Sequence, residues 1–449
     1  MTDKTIDNMI EQTPLLKNIK KGEEVFWKNT MALPTEEATA QTEYSKADIL
    51  DAEARLQRFA AFIRVAYPET EETAGIIESP LSEITKMKEY LDEAMDQELD
   101  GRLWLKRDDL LPISGTIKAR GAIYEVLKHA ETLALEHGLL KNTDEDYAVF
   151  ASDEFRTFFA KHNITVGTTG NLGISVGTMG RKLGFEVTVH MSVEAKRWKK
   201  EYLRNIGVEV IEHDTDFSQA VENGRAQSEA DPNSYFVDDE HSVELFLGYT
   251  AGGLRMKVQL DIAGIQVDED HPLFVYLPCG IGGSPGGITF GLKQAFGDHV
   301  HCFFAEPTKM PSMMVGLLSQ KFDEVSVFDL GLGGLTVADG LAVPRTSGLV
   351  AKLMRTFFSG GYTVADDVFK ALLSRLYGIE GIFLEPAAVA GIVGPYRLMQ
   401  SEEGQAYLRE KGLTDKMDQA THIAWATGGS MVPAKDREAF LFEAKSYTL

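Results

Sequence analysis

The rhythm of apolar positions changes near residue 103. Before it, Ile49, Leu50, Phe59, Phe62 and Ile63 recur at helical spacing, as do Leu81, Ile84, Met87 and Leu91, which predicts helices joined by a polar connection. These first hundred residues are expected to form a helical extension without chemistry, in which Trp27, Tyr44 and Tyr67 serve as packing residues. From Leu103 onward, short apolar runs alternate with amphipathic stretches. The runs at 164–166, 185–191, 208–211 and 235–237 predict strands, each followed by enough chain for one helix. A second set follows at 273–277 and 300–304, with a late strand at 423–426. Such alternation predicts parallel βαβ units, here two parallel sheets facing a common cleft. No strict internal repeat or low-complexity tract interrupts it.

Length and composition narrow this picture. A chain of 449 residues exceeds one ordinary compact domain, so two lobes are expected. With 44% apolar and 25% charged residues, it can bury a sizeable core and is not disordered throughout. The net charge of −23 works against a polyphosphate partner, which argues against nucleic acid. Cys279 and Cys302 are the only cysteines and have no zinc-ligand spacing, which fits a reduced compartment. The chain opens on Met1, Thr2, Asp3 and Lys4 without an apolar signal core, and no run approaches the roughly 20 apolar residues of a membrane span. A cytoplasmic protein with no membrane partner is expected. The ten histidines show neither metal-ligand nor triad spacing.

Three segments carry candidate chemistry. In Ser114-Gly115-Thr116-Ile117-Lys118-Ala119-Arg120-Gly121, a lysine stands where a strand gives way to a helix, a place from which an amine can enter a cleft and form a Schiff base. By itself it reads more readily as a solvated surface lysine, and it needs a partner motif. Pro278-Cys279-Gly280-Ile281-Gly282-Gly283-Ser284-Pro285-Gly286-Gly287 follows a strand and precedes a helix, so its N–H groups can converge on a phosphate. A Walker loop would need a lysine before Lys293, and a dinucleotide loop would need glycine at Pro285. The third segment, Gly167-Thr168-Thr169-Gly170-Asn171-Leu172-Gly173, offers hydroxyls and N–H groups at a helix start, a receptor for a carboxylate. Asn171 could instead be a simple N-cap. Gly173, Gly177, Gly180 and Gly184 share one helix face suited to close packing.

These segments, in this order and followed by Thr427-Gly428-Gly429, resemble the serine/threonine dehydratase group of pyridoxal-phosphate enzymes. Ser-Gly-Thr-Ile-Lys-Ala-Arg-Gly, Thr-Thr-Gly-Asn-Leu-Gly-Ile-Ser and the long segment before the lysine are most like the branch of that group acting on D-serine. The resemblance runs from about residue 15 to 445. It departs from many L-specific relatives at Ile117, where they carry Phe, and at Ser430, where they carry Asn.

The resemblance implies an α/β fold type II (tryptophan-synthase-β-like) architecture with two parallel-sheet domains and an N-terminal helical extension. Residues 1–154 and 241–449 would form the large cofactor-binding domain and 155–240 the small βαβ domain. It implies pyridoxal 5'-phosphate held by Lys118, with Asn171 at its phenolic oxygen, Cys279, Gly280, Ile281, Gly282 and Gly283 at its phosphate, and Thr427 at its pyridine nitrogen. A neutral hydroxyl at that nitrogen suits elimination better than transamination. Thr168, Thr169, Gly170, Asn171 and Leu172 would bind the substrate, with Thr168 also a catalytic candidate. Asp238 would reach the leaving hydroxyl, although it reads equally as a cap or turn residue. Glu306 would support a monovalent cation, K⁺ or Na⁺, and Asp339 would be structural. Lys118, its basicity lowered by burial, would be the general base. The implied activity is β-elimination of a small-molecule amino-acid substrate, through aminoacrylate, to pyruvate and ammonia, by a monomer or a homodimer. A racemase or β-replacement synthase would share every cofactor motif. A nucleotide-binding regulatory protein would leave the Lys118 and Asn171 motifs unexplained.

Overall fold

The computed structural model describes residues 3–214 and 217–449. Its strands are β1 (Phe26–Lys28), β2 (Leu81–Glu83), β3 (Arg102–Arg107), β4 (Asn163–Gly167), β5 (Glu186–Ser192), β6 (Glu209–His213), β7 (Ser234–Val237), β8 (Leu273–Pro278), β9 (Val300–Pro307), β10 (Gly360–Val364) and β11 (Thr421–Ala426). The chain divides into two compact units, Met1–Ser45 with Pro80–Asp109 and Gly252–Leu449, and Lys46–Ser79 with Leu110–Ala251.

The first unit is built on a seven-stranded sheet in the order β1-β10-β9-β8-β11-β3-β2. The five inner strands are parallel, while β1 and β2 pair antiparallel at the edges. Every residue of β8, β9 and β11 is buried, as continuous apolar runs in a sheet covered on both faces require. Phe274, Tyr276, Phe303 and Tyr362 join Leu372 and Leu376 in its core. Burial of each such side chain stabilises the fold by roughly 1.5–3 kcal/mol. At the carboxyl end of β3, Asp108 accepts from the Trp425 indole at 2.7 Å, which fixes that end against β11.

The second unit holds a four-stranded, all-parallel sheet in the order β6-β5-β4-β7. The helix Asn171–Leu183 lays its glycine face down as expected, Gly173 toward Val189 and Gly180 toward Val187, whereas Gly177 faces Leu203 and Val208. Gly184 does not share that face, because it ends the helix in the left-handed conformation, φ +112°.

The first hundred residues are not an appendage. The helix Lys46–Ala66 buries Ile49, Phe59, Phe62 and Ile63 in the unit of the smaller sheet, and Arg55 and Arg58 both engage the buried Glu131. Tyr67 donates to Thr178 O at 3.0 Å on the glycine-faced helix. Trp27 lies in β1, an edge strand of the larger sheet. The expected helix from Leu81 begins only at Thr85, since Leu81–Glu83 pairs with β3. The span 155–240 contains the four strands of the smaller sheet, but their compact unit also takes in Lys46–Ser79 and the chain from Leu110, Lys118 included. No helix among the described residues is long and apolar enough to cross a membrane.

Candidate active site

Lys118 stands immediately before a widened π-helical turn, Ala119–Ile123, that leads into the helix Tyr124–Glu136. Widened turns displace side chains from the regular helical stack and recur at functional sites. Gly121 allows the segment to approach the helix Val243–Ile262, since a Cβ there would collide with the Tyr249 ring. Arg120 is held by Glu78, and Ser114 shares a 2.9 Å hydrogen bond with Ser175 on the helix Asn171–Leu183. The lysine segment and the Thr-Thr-Gly-Asn segment are thus tied to one another within the second unit.

The Lys118 ammonium lies 3.3 Å from both carboxylate oxygens of Asp239. The buried Tyr249 phenol sits beside it. Burial pulls the ammonium down, but Asp239 and Tyr249 outweigh it, and its pKa lies above the ordinary lysine value. The expectation of a lysine made less basic by burial is therefore reversed in this state, because a carboxylate accompanies the amine into the interior. Asp239 and Tyr249 are the residues that sequence reasoning missed.

Asp238 faces elsewhere. One of its oxygens accepts from Arg225 at 2.9 and 3.1 Å and lies 3.3 Å from His241 Nδ1, and the other accepts the Glu240 N–H at 3.0 Å. That is the turn role, with an ion pair added. Asp238, Glu240 and His241 lie close enough together to suggest a metal cluster, yet Arg225 already occupies both carboxylates.

At the start of the helix Asn171–Leu183 the cap position falls on Gly170, so Asn171 is not the N-cap but the first helical residue. Thr168 is buried and its hydroxyl accepts the Gly170 N–H at 2.9 Å, which closes the turn and leaves its O–H free to donate. The N–H groups of Thr169 and Leu172 meet no protein acceptor among the described residues, leaving donors and the positive helix end available to a carboxylate.

In the first unit, the glycine-rich loop follows β8 and ends at the helix Gly283–Phe296. Its carbonyl groups are anchored: Gly280 O accepts from Ser312 Oγ, and Ile281 O from Ser347 N and Thr346 Oγ1. Its N–H groups are not, since those of Gly280, Ile281, Gly282 and Gly283 donate to no protein group among the described residues although all four residues are buried. Buried N–H groups are rarely left unpaired, and four in sequence at a helix start fit the phosphate of a bound cofactor. Cys279 differs, because its N–H continues the sheet to Ala305 O at 2.8 Å. Gly282 has φ +110°, a left-handed conformation that favours glycine.

Glu306, in β9, is buried and accepts the N–H groups of Met313 and Met314 at 2.8 and 2.9 Å. Burial pushes its pKa up to about 8, against the pull of those donors. Thr427 follows β11 directly and is half-buried. Asp339 opens a short turn whose Leu341 packs against Gly280, a structural place beside the glycine loop.

The family profile described as pyridoxal-phosphate dependent enzyme matches residues 79–407. A protein of Geobacillus stearothermophilus named "Probable D-serine dehydratase" is 53% identical over 443 residues, covering 99% of this chain and 96% of that protein. One of Bacillus mycoides with the same name is 54% identical over 430 residues, 96% of each. Among solved structures, diaminopropionate ammonia lyase from Escherichia coli in complex with D-serine aligns with TM-score 0.71 at 16% identity, covering 94% of this chain and 98% of that one. Threonine deaminase isoform 2 from Solanum lycopersicum aligns with TM-score 0.61 at 19% identity, covering 95% and 98%.

Proposed function

Because the chain belongs to the pyridoxal-phosphate-dependent enzymes and has their fold type II architecture, we propose that it is an ammonia-lyase that eliminates water from D-serine and yields pyruvate and ammonia. The near full-length identity to relatives named for that reaction supports the substrate, and the four unpaired N–H groups of Gly280 to Gly283 support the cofactor. Pyridoxal phosphate, when bound, supplies the electron sink that makes the α-proton of an amino acid removable. Lys118 would hold it through Nζ, the N–H groups from Gly280 to Gly283 would take its phosphate, Asn171 its phenolic oxygen and Thr427 its ring nitrogen.

The protein's own groups perform the rest. The start of the helix Asn171–Leu183, with Thr168, Thr169 and Gly170, receives the substrate carboxylate. Lys118 Nζ, once released from the cofactor, takes the α-proton, and Asp239 balances the positive charge that then forms on it. The β-hydroxyl leaves as water by gaining a proton, for which Thr168 Oγ1 is one donor and Asp238, were Arg225 to turn aside, the acid expected from the sequence. The enamine that departs hydrolyses to pyruvate and ammonia.

A base fixed at one atom reaches the α-proton of one enantiomer in a given binding pose. D-serine is therefore expected to give pyruvate with kcat/KM at least about tenfold above that of L-serine, about 1.4 kcal/mol in the transition state. A coupled pyruvate assay on both enantiomers tests this. Equal or better turnover of L-serine would remove the D-serine assignment, and formation of L-serine in place of pyruvate would make the enzyme a racemase.

Gly282→Asp is expected to weaken cofactor retention at least about tenfold, since it places a carboxylate against phosphate and a side chain where the backbone is left-handed. Dialysis followed by absorbance of the retained cofactor measures it. Retention equal to wild type would mean that the loop is not the phosphate site.

Glu306 is the proposed support for K⁺ or Na⁺. Replacing both by tetramethylammonium is expected to lower activity several-fold. The difference should grow as pH rises through about 8, where the carboxyl ionises and can hold a cation. Glu306→Gln should abolish the difference between salts, and identical activities in all three salts would exclude the cation. The functional unit is proposed to be a single chain, which light scattering of the purified enzyme checks.

A further inference from the structure

We propose that a cavity at the amino-terminal edge of the larger sheet is a second binding site, for a small organic anion bearing carboxylate or phosphate oxygens. The cavity has a volume of about 310 Å³, room for several heavy atoms rather than one ion. It lies at the end of the sheet opposite the glycine loop. Pro272 and His301, at the starts of β8 and β9, line it, whereas the loop and Glu306 stand toward the other ends, about 20 Å away at ~3.3 Å per residue.

Its central feature is Lys293, which is 7% exposed. The ammonium donates to Val300 O at 2.7 Å and has no ion-pair partner among the described residues. An ammonium offers three donors, of which this one spends one on a carbonyl, and Asp298 favours its charge only from beyond ion-pair distance. The acids lining the cavity are engaged with other partners: Asp298 accepts the N–H and hydroxyl of Thr35 at 2.8 and 2.7 Å, Asp268 binds His271 at 2.7 Å, and the exposed Glu269 reaches Lys416 at 3.7 Å. Burial also draws the Lys293 amine below the ordinary lysine value, the penalty that a bound anion would relieve.

Two further elements complete an anion receptor. Ser359, Tyr407 and His301 form a buried hydrogen-bonded chain, in which His301 Nδ1–H donates to Tyr407 OH at 2.7 Å and Tyr407 OH to Ser359 Oγ at 2.9 Å, so that the Ser359 hydroxyl proton is left without a partner among the described residues. The exposed Lys411 also lines the cavity, and its side chain makes no ion pair or hydrogen bond among the described residues. A hydroxyl left open beside a buried cation, with a second cation on the same cavity, matches an anionic ligand of a few heavy atoms.

Calorimetric titration of the holoenzyme, its cofactor phosphate site filled, with inorganic phosphate and separately with succinate tests the site. At least one probe is expected to bind and to raise Tm, and Lys293→Met should weaken that binding at least about tenfold, the loss of one charge-assisted contact. Lys411→Met, at an exposed position where folding is not at stake, should weaken it about two- to fivefold. Binding of phosphate alone assigns a phosphorylated ligand, and binding of succinate alone a carboxylate. Failure of both probes to bind overturns the proposal, as does binding that neither lysine substitution changes. The titration is independent of the D-serine assay, so either reading can fail without the other.

Discussion

Replacing Lys118 by Ala is expected to reduce pyruvate formation from D-serine by at least about 10³-fold, because the residue that holds the cofactor and then moves the α-proton is removed at both stages. The fold should survive. Lys118 serves no apolar core, and the Ser114–Ser175 and Arg120–Glu78 contacts that anchor its segment do not involve its side chain. The substitution leaves the Asp239 carboxylate without its cation, so stability should fall by about 1–3 kcal/mol, with far-UV circular dichroism unchanged. Borohydride reduction of the wild-type holoenzyme followed by peptide mapping identifies the lysine that carries the cofactor. Label on another lysine, with the buried Lys293 the instructive competitor, would refute the assignment.

The reason Lys118 could be found from the sequence while its partners could not lies in how each signal is distributed along the chain. The lysine segment, the Thr-Thr-Gly-Asn turn and the glycine loop are each local: a few consecutive residues set the turn, and the helix that follows supplies the donors. Strands β4, β5, β8 and β9 are legible for a similar reason, since runs buried on both faces are largely apolar. By contrast β1 has three residues and β10 opens on two glycines, so both depend on neighbours distant in sequence. Tyr249 is another such case. It meets Lys118 only because Gly121 and Gly248 let two segments more than a hundred residues apart approach closely. Asp238 and Asp239 pose a sharper difficulty, because adjacent acids at a strand end are equivalent in composition. Only the backbone turn decides which one faces the lysine, and here it turns Asp238 to Arg225 and Asp239 to Lys118.

That division of labour yields a paired test. Asp239→Asn removes the charge 3.3 Å from Lys118 Nζ while keeping the shape of the side chain. With the carboxylate gone, burial is left to act against the Tyr249 phenol alone, and burial favours the neutral amine. The ammonium, now held above its ordinary value, should therefore lose its proton at lower pH, by at least about one unit, or 1.4 kcal/mol. Trinitrobenzenesulfonate labelling of Lys118 in the apoenzyme, followed by peptide mass spectrometry across a pH series, reads this without turnover. The midpoint should move acidic in Asp239→Asn and stay in place in Asp238→Asn. In the holoenzyme, Asp239→Asn should lower kcat about 10²-fold, since the charge that forms on Lys118 when it takes the α-proton is no longer balanced. Asp238→Asn should instead lower Tm by weakening the Arg225 pair. If it also lowers kcat/KM for D-serine while the labelling midpoint is unmoved, Asp238 touches the substrate hydroxyl as the sequence suggested. A midpoint that moves in Asp238→Asn and not in Asp239→Asn would reverse the assignment of the two carboxylates.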